Sequence, residues 1–285
     1  MPVLAVTAPF GFDAYDQDQF FALWAELGCR SCQMLREVGT DIDPPRAREM
    51  VERHGLSFNA IHGRFKNGID LSNPDDHEVR ARSVEAMIED GDLVRALGGR
   101  VVIVHPAAGV PSEWRGTALP ADLVARRWEA FARSLDALAS AGEQQGVVYA
   151  IENLPRSCWI GHDAPDLARR VREIGSPALR MCFDTGHAHL EATPPALPCA
   201  GQFEACADVV AYVHVHDNAG DGDHHLIPGE GTIDWEALSA AIARHPDADL
   251  PAMLELFHTE DELRRVMETV DLASHLRRAC GVGIR

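Results

Sequence analysis

The sequence predicts a single α/β domain, a (β/α)8 barrel in which eight parallel strands alternate with helices. Three observations carry this expectation. Short apolar, β-branched runs recur eight times along the 285 residues. These runs lack strict apolar/polar alternation, as strands buried on both faces of a parallel sheet do. Longer amphipathic stretches separate them and no Ser/Gly-rich linker divides the chain, so the series reads as one domain over residues 1–285. A doubly wound open sheet is the competing arrangement. A solenoid is excluded, because no repeat of roughly 20 to 30 residues is visible.

In chain order the strands are 3–8 (VLAVTA), 31–35 (SCQML), 57–62 (SFNAIH), 100–105 (RVVIVH), 147–153 (VVYAIEN), 179–184 (LRMCFD), 209–217 (VVAYVHVHD) and 251–256 (PAMLEL). The stretch DQDQFFALWAEL places Phe20, Leu23, Trp24 and Leu27 at helical spacing. The long pattern after the third strand opens on Asn73-Pro74 and closes on Gly98-Gly99, ordinary boundaries of a helix. ADLVARRWEAFARSLDALASAGEQQG, APDLARRVREIG, DWEALSAAIARH and TEDELRRVMETVDLASHLRRA follow the same logic.

Composition removes several function classes. The apolar fraction of 46% with 25% charged residues is that of a water-soluble globular protein, and no window approaches the ~20 apolar residues of a membrane span. The N-terminal MPVLAVTAPFGFDAYD lacks the basic region of a secretory signal. Cys29 and Cys32 form a lone C-x-x-C, whereas a structural zinc site wants four ligands, so Cys32 is expected as a buried thiol in a strand. A cytoplasmic location fits these features. Acids outnumber bases 44 to 26, giving a net charge of −18, and Lys66 is the sole lysine. Nucleic acid is therefore not expected as a partner, since phosphate neutralisation needs a basic face. A homo-oligomer is compatible with the sequence but not specified by it.

The chemistry-bearing residues gather at strand ends. His62 ends the third strand, His105 the fourth, Glu152 the fifth and Asp184 the sixth, with His187 one turn further in a DTGH loop. His214 and His216 lie near the end of the seventh strand and Glu255 near the end of the eighth; the DGDHHLIPGEG loop adds Asp223, His224 and His225. In a parallel barrel all these ends share one face. Any one of them alone would be an ordinary capping or loop residue. A near-unbroken series from strand three to strand eight is not, and burying so many ionisable groups without a cation would be costly. Imidazole and carboxylate without sulfur favour Zn or Mn, with Co or Mg as further options. Glu152, Asp184 and Glu255 with His214 or His216 make a four-ligand cage; His62 and His105 could complete a position beside Glu152, and His187, Asp223 and His225 a third. One to three ions follow.

The motifs IHGRF…DLSNPDDHEVRARSVE, VVIVHP, AIENLP, CFDTGHAHL, HVHDN…DHHLIPGEGTIDW and MLEL resemble the sugar phosphate isomerase/epimerase proteins of xylose-isomerase-like TIM-barrel type. That superfamily also contains endonuclease IV-type apurinic/apyrimidinic endonucleases. The resemblance runs from about residue 57 to residue 256. By resemblance to the epimerase branch, Glu152, Asp184, His214 and Glu255 are the metal ligands, which selects His214 over His216. By resemblance to the endonuclease branch, three zincs would take all nine of His62, His105, Glu152, Asp184, His187, His214, Asp223, His225 and Glu255. One residue is inserted before GEG relative to that pattern, so His224 is the alternative to His225.

The expected function is a divalent-metal-dependent isomerase or epimerase of a small sugar or sugar-like substrate, acting by proton abstraction through a metal-stabilised enediolate. Glu152 and Glu255 would exchange the proton and His187 would bind a substrate oxygen. Arg64, Lys66 or Arg156 could meet a substrate carboxylate or phosphate. Trp114 and Trp159 could cover the sugar ring, with helix–barrel packing an equal explanation for both. A multinuclear zinc phosphoesterase is the alternative.

Overall fold

The computed structural model describes residues 3–37, 39–114, 117–190, 192, 197–256, 258–269 and 271–280. The eight apolar runs all form strands: β1 (Val3–Phe10), β2 (Ser31–Arg36), β3 (Ser57–His62), β4 (Val101–Val104), β5 (Val148–Glu152), β6 (Leu179–Asp184), β7 (Val210–Val215) and β8 (Pro251–Leu254). They close in chain order into a parallel barrel, β8 pairing with β1 from Val3↔Pro251 to Val6↔Leu254.

The helices are α1 (Gln17–Glu26), α2 (Pro44–Glu52), α3 (His77–Ala96), α4 (Ala121–Gln145), α5 (Ala164–Ile174), α6 (Thr185–Leu190), α7 (Cys199–Cys206), α8 (Trp235–Ala243), α9 (Glu260–Thr269) and α10 (Leu272–Cys280). Part of the acidic excess is spent on their starts. Asp16, Asp43, Asp76, Asp163 and Asp234 each cap a helix by accepting a backbone N–H two or three residues on. Three of these helices lie outside the sequence patterns. The stretch α2 opens on two prolines and buries only Ala47 and Val51, too few apolar positions to show a period. The DTGH stretch is helical, as α6, rather than a loop: the Asp184 carboxylate accepts the His187 N–H at 2.7 Å and starts the turn. The third is α7, of eight residues. The pattern over 259–279 is two helices, and Val270 between them lies outside the described residues. No helix among the described residues is long and apolar enough to cross a membrane.

The barrel interior decides where function can sit. Ala5, Ala60, Ile103, Ala150, Cys182, Tyr212 and Met253 point inward from seven strands and form one buried cluster. Because strand side chains alternate faces, the residue two positions on points inward again, one layer nearer the C-terminal mouth. That step leads from Ala60 to His62, Ile103 to His105, Ala150 to Glu152, Cys182 to Asp184, Tyr212 to His214 and Met253 to Glu255. An apolar plug therefore underlies a layer made of acids and imidazoles.

Outside the barrel, α4 is tied to the β3–α3 loop by Arg127, whose Nη1 donates to Asp70 Oδ2 (2.9 Å) and Ser72 Oγ (3.0 Å). Both side chains of the pair are 9% exposed. The guanidinium also lies 4.3 Å from the centroid of the Trp159 ring, so Trp159 takes part in packing. An Asp70→Ala variant leaves a buried, unpaired guanidinium and is expected to cost about 3–5 kcal/mol. At roughly 2–4 °C per kcal/mol for a chain of this size, a fall in Tm of about 6–20 °C follows, measurable by calorimetry.

Candidate metal centre

Glu152, Asp184, His214 and Glu255 each present a ligand atom within 4.8 Å of all the others, as do His62, His105 and Glu152; Asp184, His187 and His216; and His216, His225 and Glu255. These sets overlap, so the acids and imidazoles form one continuous cluster across the mouth. His62 Nε2 and His105 Nε2 lie 3.6 and 3.2 Å from Glu152 Oε2. His214 Nδ1 lies 3.0 Å from Glu255 Oε2, 3.3 Å from Glu152 Oε1 and 3.7 Å from Asp184 Oδ2. At the rim, Asp223 meets His187 Nε2 at 3.3 Å and His225 Nε2 at 3.4 Å.

The outer nitrogens of the histidines are fixed by the scaffold. His62, His187 and His225 each donate Nδ1–H to a backbone carbonyl, of Gly63 (2.9 Å), Asn153 (2.9 Å) and Glu255 (2.8 Å). His214 donates Nε2–H to Gln33 Oε1 at 3.0 Å. In each case the remaining nitrogen is turned towards a carboxylate, and it is the one that binds a metal once its proton is given up. The fit to a cation is visible in atoms left without partners. Glu152 Oε2, Glu255 Oε2, His214 Nδ1 and His216 Nδ1 are buried and have no hydrogen-bond partner among the described residues, and such orphans call for an explanation in a native core. For three of them a shared ion is that explanation. The donors, nitrogen and oxygen with no thiolate, suit a divalent metal.

The local electrostatics agree. Burial would drive the Glu152 carboxyl upward, yet His214 and His105 hold it well below the usual range. Burial of Glu255 is likewise outweighed by His214 and then His225. Burial disfavours charged His187 and His225, but Asp184, Asp223 and Glu152 lift the first well above its ordinary value, and Asp223 and Glu255 lift the second to about 9. Glu152 and Glu255 are thus ionised, and each is matched by an imidazole whose proton a metal ion would displace.

Several positioning residues were not singled out from the sequence. Asn153 clamps β6: its Oδ1 accepts from Asp184 N (2.8 Å) and its Nδ2 donates to Asp184 O (3.0 Å). The Asp217 carboxylate accepts four hydrogen bonds, from Asn218 N, Ile233 N, Gly229 N and Trp235 Nε1, and so ties down the loop bearing Asp223 and His225. Adjacency to Glu152 and His216 was the one signal available for these two. His216 does not compete with His214. It bonds both Asp184 oxygens through Nε2 (3.0 and 3.1 Å) and stacks 3.9 Å from His225. This contact requires Gly186, because a Cβ there would fall 2.0 Å from the His216 ring. His225, not His224, enters the cluster; His224 is exposed and faces Asp221.

A cavity of about 370 Å³ opens onto the cluster, lined by His62, His105, Glu152, His187, Asp223, His225 and Glu255 with Phe65, Lys66, Leu154 and Pro155 among its walls. Of the side chains expected to touch substrate, Lys66 and His187 line it. Arg64, Arg156, Trp114 and Trp159 do not. Arg64 bonds Asp90 and Glu89 instead, Arg156 is exposed in the β5–α5 loop, and Trp114 packs beside Trp159 at 6.2 Å between ring centroids.

The sequence profile of the xylose isomerase-like TIM barrel family matches residues 21–278. The chain is 27% identical over 189 residues to the uncharacterized protein MJ1311 of Methanocaldococcus jannaschii, covering 66% of this chain and 60% of that relative's length. It is 24% identical over 226 residues to a probable endonuclease 4 of Staphylococcus aureus (strain JH9), covering 75% and 72%. Among solved structures, a D-tagatose 3-epimerase-like protein superposes with a TM-score of 0.74 at 20% identity, covering 97% and 98% of the two chains.

Chelation is expected to lower Tm by about 5–15 °C, from the 2.7–4.1 kcal/mol that a ligand at ~100–1,000 times its Kd contributes, and Zn or Mn is expected to restore it in differential scanning fluorimetry. Gly186→Ala is expected to displace His216 and reduce bound metal per chain, read by elemental analysis, in protein that stays folded by circular dichroism.

Proposed function

The chain belongs to the xylose isomerase-like TIM barrel family, and from that premise we propose that it is a divalent-metal-dependent isomerase or epimerase of a small sugar or sugar-like substrate. One observation carries the reading. Glu152 and Glu255, both buried and both held ionised, approach one imidazole nitrogen, His214 Nδ1, at 3.3 and 3.0 Å and line the same cavity. Two carboxylates so placed can share a proton-transfer task, one removing the proton next to a carbonyl and the other, after taking up a proton from solvent, delivering it. Glu152 comes from the end of β5 and Glu255 from just beyond β8, so they reach the substrate from different sides of the mouth. A cavity of about 370 Å³ is in the range of small-molecule sites.

Glu152, Asp184, His214 and Glu255 would hold the principal ion, Zn or Mn with Co or Mg as options, and further ions would lie beside His62 and His105 and beside His187, Asp223 and His225. Such an ion supplies Lewis acidity to a carbonyl and its neighbouring hydroxyl. Where no ion lies beside Asp223, His187 Nε2, at the cavity wall, would instead bind a substrate oxygen, its Nδ1–H being committed to Asn153 O. Phe65, Leu154 and Pro155 supply apolar surface against the substrate carbons. A phosphoesterase of endonuclease IV type is the second reading, favoured by the gathering of all nine expected ligands in one cluster; the net charge of −18 weighs against a DNA substrate.

Incubation of metal-loaded protein with ketoses in D2O, followed by NMR, is expected to show deuterium entering the carbon next to the carbonyl. Glu152→Gln and Glu255→Gln should each slow this by about 10²–10⁴-fold. Hydrolysis of bis(p-nitrophenyl) phosphate without any exchange would favour the second reading.

A further inference from the structure

Resting on the isomerase reading and deepening it, we propose that the substrate is an anionic sugar, a sugar acid or a sugar phosphate, whose charged group is bound by Lys66. Beside the metal-cluster cavity lies a second one of about 820 Å³, walled by Phe12, Ile42 and the ends of β2 and β3. Among the described residues only His62, Phe65 and Lys66 line both. Lys66 therefore stands at the neck between them. Its Nζ lies 4.9 Å from the centroid of the Phe65 ring, and that ring is 4.7 Å from His62 and 4.9 Å from His105. A single aromatic ring thus separates the ammonium from two imidazoles of the cluster, within the span of a five- or six-carbon sugar.

The surrounding charges single this residue out. The other cations lining the second cavity are already neutralised: Arg36 by Asp90, and Arg64 by Asp90 and Glu89. Lys66 pairs with no carboxylate among the described residues. It is the only lysine in a chain of net charge −18, and the acids Glu37 and Asp41 on the far wall of the second cavity would turn an anion towards the neck. The backbone holds it there at a conformational cost. Lys66 (φ 66°) and Asn67 (φ 44°) both occupy the left-handed region, followed by Gly68 (φ 86°), and the turn closes with Ile69 N donating to Lys66 O at 3.0 Å. Asn67-Gly68 is an ordinary central pair for such a turn, but a lysine rarely adopts the left-handed region, and one held there at a cavity mouth points to a side chain kept for what it binds.

A sole lysine is its own reporter. Reductive ¹³C-methylation preserves its charge and gives one dimethyl-lysine NMR signal, separable from the α-amino group by its higher pKa. Metal-loaded protein would be titrated with D-glucuronate, D-fructose 6-phosphate, inorganic phosphate and D-fructose. The expected result is a saturable shift with glucuronate or fructose 6-phosphate, at a concentration at least about tenfold below that needed for inorganic phosphate, and none with fructose; which sugar wins separates carboxylate from phosphate. Equal, weak responses to all the anions, or none, would overturn the proposal. In deuterium exchange with the anionic substrate, Lys66→Met should raise KM about 10–100-fold with kcat changed less than about threefold, and Lys66→Arg should recover part of the loss. An unchanged KM in Lys66→Met would overturn the anion assignment and leave the isomerase reading standing. A saturable lysine shift without exchange of any sugar would do the reverse.

Discussion

The buried layer of like charges one pleat above the barrel's apolar plug is the constraint on which the rest of the structure depends. Glu152, Asp184 and Glu255 are 1%, 0% and 6% exposed, and ligand atoms of all three fall within 4.8 Å of one another. Carboxylates so close would repel strongly in a low-dielectric interior if all carried charge. Protonating them would relieve the repulsion, but the imidazoles of His105, His214 and His225 hold Glu152 and Glu255 in the opposite direction. Positive charge must therefore be supplied from outside the chain or borrowed as protons on histidine.

Much of the surrounding architecture serves to hold that layer against its own repulsion. Gln33 on β2, Asn153 beyond β5 and the carbonyls of Gly63 and Glu255 take the outward-facing hydrogen-bonding capacity of the ligands. Thr185 Oγ1 accepts from His216 N and donates to His216 O, pinning β7 to the start of α6. Asp217 gathers the long β7–α8 loop so that Asp223 and His225 return over the mouth. Gly63, Asn153 and Thr185 each adjoin a ligand in sequence, so short motifs that carry chemistry also carry part of its support, whereas Gln33 reaches in from β2.

How much of this could be read in the sequence follows from how local each signal is. Strand positions were legible to within one or two residues, because double-sided burial leaves continuous apolar runs such as 101–104 and 210–213. The cluster was legible because a parallel barrel turns strand-end position directly into spatial proximity. What escaped were features decided by non-local contacts. Whether His216 replaces His214 or joins it depends on the approach of Gly186 from another element. Whether Arg64 faces substrate depends on Asp90, 26 residues away on α3. Trp159 is kept from a sugar ring by Arg127, on α4, which lies over its indole. Short helices such as α6 show no period of their own, and a side-chain cap from the preceding strand forms the first turn.

The central claim, that the acid and imidazole layer is built around cations, is tested most directly by a crystal structure of chelator-free protein with anomalous data collected at the Zn and Mn absorption edges. A peak bounded by Glu152, Asp184, His214 and Glu255 is expected, at about 2.0–2.2 Å from their oxygen and nitrogen atoms. A mouth without anomalous density after soaking in either metal, with the carboxylates bonded only to the imidazoles around them, would contradict it.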